Sequence, residues 1–243
     1  MKDFNAEAYR ILAIDDNRFI LRMVTGALEQ AGFQISTATS GEEALEQIKR
    51  NGLPHLALVD INMPFGMDGF EFCKTVHEFS DLPIIMLTAV DEDETIINTI
   101  DQFAEDYITK PFNLGELVAR VRRVLRRIGD FAYALTPYTQ VDSRLQVDFS
   151  NQKLIVAGDE QKLTPTETKL LYILMRNAGR TVTTDFILRR LWPLETVYED
   201  RLRVYVHRLR QKIEVEPSNP QYIISQRGVG YTFMVLESVS SKK

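Results

Sequence analysis

The stretch "HLALVDINMPFGMDGF", His55–Phe70, decides how the first half of this chain is read. Its apolar run, Leu56–Val59, reads as a buried strand. The run ends in one carboxylate, Asp60. Asn62, Pro64, Gly66, Asp68 and Gly69 follow, a loop composition. Open α/β sheets carry their functional groups at the carboxyl ends of parallel strands, so the neighbours of Asp60 at that edge matter most.

Outward from this strand, short apolar runs alternate with helical patterns. Arg10–Ile14 precedes an amphipathic stretch, Phe19–Ala31, that stops at Gly32. Phe33–Thr37 precedes Ser40–Asn51, with Ser40 as N-cap before Glu43. Leu56–Val59 leads to Gly69–Phe79, and Pro83–Leu87 to a helix within Glu92–Gln102. Asp106–Thr109 leads to Leu114–Arg127. Five such alternations predict a doubly wound α/β unit, a five-strand parallel sheet with helices on both faces.

Composition bounds the function classes. The 243 residues are 44% hydrophobic, enough for two cores. One cysteine, Cys73, excludes an intrachain disulfide and suits a reducing cytosol. No apolar run nears the roughly 20 residues that span a bilayer, and the polar start MKDFNAEAYR does not resemble a signal peptide. A soluble, cytoplasmic protein with no membrane partner is expected. The charge is uneven: residues 1–130 hold 13 Lys and Arg against 22 Asp and Glu, and residues 131–243 hold 16 against 12. A net −9 half followed by a net +4 half predicts different partners, with nucleic acid for the second.

The first strand ends in Asp15-Asp16, the third in Asp60, the fourth in Thr88, and the fifth runs into Lys110-Pro111. On one rim, three carboxylates, a hydroxyl and an ammonium converge. Crowded carboxylates raise one another's pKa. A hard divalent cation relieves this, and Mg²⁺ suits carboxylate and water ligands. A carboxylate left partly free can attack phosphorus. Lys110 then neutralises phosphoryl charge, and Thr88 donates to its oxygens.

These residues resemble a known family. DD at Asp15-Asp16, Asp60-x-x-x-Pro64, LTA at Leu87–Ala89 and "DYITKPF" at Asp106–Phe112 are similar to a response-regulator receiver domain over about residues 8–127. The resemblance implies a flavodoxin-like sheet in the order 2-1-3-4-5, an order that receiver proteins illustrate. It implies Asp60 as phosphoacceptor, and Mg²⁺ held by Asp16, Asp60 and the Asn62 backbone carbonyl, with Asp15 helping through water. Thr88 and Tyr107 match the switch pair, and a sensor histidine kinase is the implied phosphodonor. Glu105, Asp106 and Arg120 match acids and a base of the family's dimer face.

Three departures stand out. Gly69 lies nine residues after Asp60, where the family usually has eight. Phe103 replaces a usual Gly. Val90–Phe103 holds no Lys or Arg to pair across a dimer.

The grammar changes after the Arg122–Arg127 stretch and an uneven segment, Ile128–Gln140. Arg144–Phe149 and Lys153–Ala157 read as strands around a turn at Ser150–Asn151. "LTPTETKLLYILMRNAG" reads as a helix with Thr164 as N-cap, Pro165 in the first turn and Gly179 at the stop. Asp185–Leu191 is a short helix and Tyr198–Glu214 a long one. Tyr222–Gln226 and Tyr231–Leu236 flank the hairpin signal "RGVG". In the long helix, Leu202, Val206, Leu209 and Ile213 form a buried stripe. Arg201, Tyr205, Arg208 and Lys212 flank it on one side, and Arg203, His207 and Arg210 on the other. No acid occurs from Arg201 to Lys212. A cationic helix packed by one stripe suits the major groove. Trp192 is expected to pack internally rather than to stack on a nucleotide.

"LTPTETKLLYILM", "VYVHRLRQKIE" and "YIISQRGVGYTF" resemble the OmpR/PhoB-type winged-helix domain over about residues 141–236. That resemblance implies an α+β domain with a β-platform, Arg201–Glu214 as recognition helix, and a wing at Arg227–Tyr231 turned by Gly228 and Gly230. Arg227 would reach the minor groove or its phosphates, and the short loop Pro193–Glu199 corresponds to one that can touch RNA polymerase.

The expected organisation is a receiver over 1–127, a linker over 128–140, a winged-helix domain over 141–237 and a tail over 238–243. The expected function is a two-component transcription regulator, not an enzyme. It would be phosphorylated on Asp60 and bind promoter DNA as a homodimer. Two alternatives remain open at this point: a phosphorylation-independent regulator with a constitutively dimeric receiver, and an Mg²⁺-dependent phosphohydrolase using Asp15, Asp16 and Asp60. The second leaves the basic half unexplained.

Overall fold

A computed structural model of the chain describes residues 5–64, 66–89, 104–128, 138–192 and 198–234. The helix expected within Glu92–Gln102, Phe103, most of the 128–140 connection, most of the 193–199 loop and the tail lie outside the described residues. The chain divides into two compact units near residue 130. No helix among the described residues is long and apolar enough to cross a membrane.

The first unit alternates β1 (Arg10–Ile14), α1 (Arg18–Gln30), β2 (Gln34–Ala38), α2 (Gly41–Asn51), β3 (Leu56–Asp60) and α3 (Gly69–Phe79). β4 (Ile84–Ala89), β5 (Asp106–Lys110) and α4 (Leu114–Ile128) follow. The five strands are parallel in the order β2-β1-β3-β4-β5, as the receiver resemblance implies. Leu56, Ala57, Leu58 and Val59 are fully buried, because helices cover both faces of the central strand. Local chemistry sets the helix starts. Asn17 caps α1 by accepting from the Phe19 N–H at 2.9 Å. Ser40 caps α2, accepting from Glu43 N–H, with Glu42 and Glu43 in its positive first turn. Gly52 ends α2 at φ +79°, a conformation that suits glycine.

Register positions the rim. Ile14 of β1 pairs with Val59 of β3, so the next residues, Asp15 and Asp60, are level. Asp60 pairs with Leu87 of β4, which brings Thr88 one step beyond. Thr88 pairs with Thr109, and Ala89 with Lys110.

The second unit opens with an antiparallel sheet in the order β6-β7-β8-β9: Thr139–Gln140, Leu145–Asp148, Lys153–Val156 and Asp159–Lys162. Helices α5 (Pro165–Arg176), α6 (Thr184–Leu191) and α7 (Glu199–Ile213) follow. A second antiparallel sheet has the order β10-β12-β11, from Thr181–Thr183, Gly230–Phe233 and Ile223–Gln226. Thr164 and Glu167 form a reciprocal capping box at the start of α5. Leu202, Val206, Leu209 and Ile213 of α7 are all buried, as their spacing predicts. Buried Glu214 holds the return to β11 by accepting backbone N–H groups of Gln221, Tyr222 and Ile223 at 2.8–3.0 Å.

Gly228 has φ +73° at the tip between β11 and β12, as a tight turn requires. Gly230 has a different reason. A Cβ there would lie 1.9 Å from the Val182 carbonyl oxygen, so glycine is needed for close approach to β10 rather than for the turn.

Candidate functional site

Asp60 ends β3 with 5% of its surface exposed, and Asp15 is 1% exposed. Asp16 is exposed beside them. One carboxylate oxygen from each of the three lies within 4.8 Å of the others. Lys110 Nζ stands 2.8 Å from Asp15 Oδ2 and 2.9 Å from Asp60 Oδ1. The Asn17 N–H donates to Asp15 Oδ1 at 2.8 Å and fixes that carboxylate's direction. Thr88, 3% exposed, follows the residue paired with Asp60. The Lys110–Pro111 peptide is cis.

The electrostatics follow from burial and charge. Burial pushes the Asp60 carboxyl above its ordinary range, and the Lys110 ammonium only partly offsets this. Burial alone would lower Lys110, but the Asp15 and Asp60 carboxylates outweigh it and hold the ammonium above its ordinary value. When ionised, three carboxylates and one ammonium leave two negative charges uncompensated. That imbalance, and the all-oxygen donor set, fit a hard divalent cation.

Gly69, nine residues after Asp60, lies against the end of β3. Gly69 N–H donates to the Ile61 carbonyl at 3.3 Å. A Cβ on Gly69 would lie 2.1 Å from the Asp60 carbonyl oxygen and 2.9 Å from Ile61 Cα. The first residue of α3 therefore rests on the backbone of the candidate phosphoacceptor. The loop before it is tied to α2. Met67 N–H donates to Glu42 Oε1 at 2.7 Å, and Gly41 N–H to the Met67 carbonyl at 3.3 Å. Asp68 accepts from Glu71 N–H at 2.9 Å and starts α3. The roles of Glu42 and Asp68 were not read from the sequence, although an Asp three residues before a Glu is a capping signal.

Tyr107 is 48% exposed on β5. The three residues matched to a dimer face are engaged within their own unit. Arg120 Nη1 donates to both Asp106 oxygens at 3.0 and 3.1 Å, and its Nε to Glu116 at 2.8 Å. Arg123 adds a 2.6 Å contact to Asp106, and Arg127 pairs with Glu105.

On the second unit, α7 presents Arg201, Arg203, His207 and Arg208 to solvent. Arg203 pairs with Glu199 and Asp200. Tyr205 is half-buried, its ring 5.5 Å from that of Trp192, which packs internally at 7% exposure. Two cations expected to face DNA turn inward instead. Arg210 donates to the Ile223 carbonyl at 2.6 and 3.0 Å and to Ser225 Oγ at 2.9 Å. Lys212 donates to the Lys162 carbonyl at 2.8 Å and to buried Glu167 at 2.7 Å. Position on the helix brings these two side chains against β11, β9 and α5, and residue type alone does not reveal it. Arg227 and Gly228 are exposed in the β11–β12 hairpin.

An acidic rim on a 2-1-3-4-5 sheet, followed by a helical unit with a β-hairpin, defines a class: a phosphorylatable receiver joined to a DNA-binding effector. Comparison with known proteins agrees. Residues 11–122 match the response regulator receiver domain, and residues 158–233 match "transcriptional regulatory protein, C terminal". The chain is 35% identical over 222 residues to the sensory transduction protein RegX3 of Mycobacterium tuberculosis, covering 91% of this chain and 97% of that one. It is 36% identical over 223 residues to the DNA-binding response regulator MtrA of Mycolicibacterium smegmatis, covering 91% and 95%. It is 34% identical over 226 residues to the KDP operon transcriptional regulatory protein KdpE of Escherichia coli, covering 93% and 99%. The chain belongs to the OmpR/PhoB family of two-component response regulators.

Proposed function

We propose that Asp60 accepts a phosphoryl group from a sensor histidine kinase or a small phosphodonor, and that the second unit then binds promoter DNA. The carrying observation is the meeting of Asp15, Asp16 and Asp60 oxygens within 4.8 Å, with the Lys110 ammonium against two of them. Mg²⁺ would be held by Asp16, Asp60 and the Asn62 carbonyl, with Asp15 acting through water. When bound, it supplies charge neutralisation for the phosphoryl oxygens. Asp60 supplies the nucleophilic oxygen, one carboxylate oxygen forming the bond to phosphorus as the donor's leaving group departs. Lys110 then pairs with the transferred group's charge, and Thr88 donates its hydroxyl proton to a phosphoryl oxygen. Loss of Thr88 from its resting place opens room for Tyr107 to turn inward, which remodels the β5–α4 face.

Homodimerisation through that face requires Glu105, Asp106 and Arg120 to exchange their contacts within the chain for contacts with a second copy. Arg201, Arg203, Arg208 and Arg227, with the His207 imidazole, are the exposed side chains offered to DNA. Pairing two weak half-site readers raises affinity through effective concentration. The regulator acts in the cytoplasm, and the 193–199 loop is a candidate contact for RNA polymerase.

The test is duplex binding by wild type and Asp60→Asn, each with Mg²⁺, with and without phosphodonor. Wild type should gain affinity and dimer on treatment, and the variant should gain neither. Log affinity should fall with log salt at roughly −0.9 per neutralised phosphate. Equal behaviour of the two proteins would refute phosphorylation control.

A further inference from the structure

The solvent side of α7 is not centred on its cations. Opposite the buried Leu202, Val206, Leu209 and Ile213, the helix presents Val204, His207, Arg208 and Gln211, all exposed. These stand at the spacing of one helical face. Val204 is 48% exposed, an apolar β-branched side chain in the middle of a polar helix surface. The remaining cations are drawn sideways or inward. Arg201 lies over the Trp192 ring at 4.5 Å, Arg203 pairs with Glu199 and Asp200, and Arg210 and Lys212 bond within the unit. Arg208 is steadied on the central face, its guanidinium 5.5 Å from the Tyr205 ring centre.

We infer that Val204 and Gln211, with Arg208 between them, determine which duplex sequence this protein binds. The inference rests on the DNA-binding reading above and goes beyond it by assigning base chemistry to two uncharged residues. Val204 and Gln211 are seven positions apart, about 10 Å along the axis at roughly 1.5 Å per residue. That length covers about three base-pair steps at roughly 3.4 Å each. An apolar side chain in the major groove favours the thymine methyl. Arginine is bidentate to guanine, and glutamine is bidentate to adenine. The half-site core therefore carries a thymine read by Val204, a guanine read by Arg208 and an adenine read by Gln211. Lys212 and Arg210 serve the fold.

The test uses the full chain, treated with phosphodonor and Mg²⁺, against a pool of duplexes with a randomised central segment. Wild type, Val204→Ser and Gln211→Ala are compared by the sequences they enrich. Each is also titrated at several salt concentrations against one fixed, unselected duplex. Val204→Ser, which puts a hydroxyl where the methyl contact stood, should lose roughly tenfold of the preference for thymine at one position. Gln211→Ala should lose a similar preference for adenine about three positions away. Affinity and salt slope on the unselected duplex should match wild type for both variants. Two results would overturn the assignment: variants that enrich the wild-type sequence with unchanged preference at every position, or variants that weaken on all duplexes alike. A wild type that binds no duplex in any state would overturn the DNA-binding reading itself, and this assignment with it.

Discussion

Gly69→Ala is the substitution whose effect the structure fixes most tightly. The added methyl would sit 2.1 Å from the Asp60 carbonyl oxygen, 2.9 Å from Ile61 Cα and 3.0 Å from the Asp60 carbonyl carbon. All three are backbone atoms, so no side-chain rotation relieves the clash. Reaching even a tight contact requires the α3 start and the β3 end to part by nearly an ångström. Overpacking of this kind costs about 1–3 kcal/mol, which leaves a domain of about 5–15 kcal/mol stability folded. The same shift carries a functional cost, because the moved backbone bears the nucleophile. A misplacement of about 1 Å at a reacting group can cost about a hundredfold. Phosphorylation of Gly69→Ala by a small phosphodonor with Mg²⁺, followed by intact mass against time, should be slower than wild type by about 10–100-fold. Gly26→Ala is the control. It lies in exposed α1 with nothing within 4 Å of the added methyl, and should gain up to about 1 kcal/mol of helix stability with an unchanged rate. A Gly69→Ala protein with wild-type stability and rate would refute the claim that α3 rests on Asp60.

His55 makes the first unit sensitive to acid. Burial, then the nearby Arg10 charge, lower its pKa from 6.5 to about 4, and its Nδ1 accepts the Arg10 backbone N–H at 2.9 Å. Between these two values the unfolded chain binds a proton that the folded chain does not, so stability rises with pH. As pH falls from about 6.5 to about 4, about 3 kcal/mol should be lost, with no further loss from this group below that range. Hydrogen exchange of the β1 and β3 amides across that range should show the slope in wild type and a shallower one in His55→Gln. Equal slopes would exclude His55 as the source. Lys212→Met should destabilise the second unit by about 2–3 kcal/mol, because Glu167, whose side chain is 3% exposed, loses its cation. The figure sits below the range for fully buried pairs since the Lys212 side chain is 27% exposed. The salt slope of DNA binding should stay at the wild-type value, and a slope smaller by about one would return Lys212 to the phosphate contacts.

Much of this was legible in the sequence, and the reasons differ by element. The inner parallel strands announced themselves as apolar runs such as Leu56–Val59, and the edge strands β2 and β5 by their alternation with amphipathic helices. The rim was legible because Asp15, Asp16, Asp60, Thr88 and Lys110 each close a strand, so strand order alone brings them together. Three strands of the second unit were not anticipated. β9 is DEQK, mostly exposed and charged, as a protected edge strand is. β6 and β10 have only two and three residues, too few for a period to show. Close approaches were also hidden, since a glycine in sequence does not say what backbone lies against it. Gly69 and Gly230 both read as loop glycines, and both are contact glycines. On α7, reading by charge did not show that Arg210 bonds to Ile223 and Ser225 or that Lys212 bonds to Lys162 and Glu167. Inward bonds depend on tertiary neighbours that helical spacing does not name.

The central claim is that the Asp15, Asp16, Asp60 and Lys110 cluster makes Asp60 a phosphoacceptor. Intact mass after phosphodonor treatment with Mg²⁺, with peptide mapping of the modified residue, tests it most directly. The expected result is one phosphoryl group per chain on Asp60, lost after Mg²⁺ chelation before treatment and absent from Asp60→Asn. A phosphoryl group on another residue, or an unmodified chain under conditions that leave the protein folded, would contradict it.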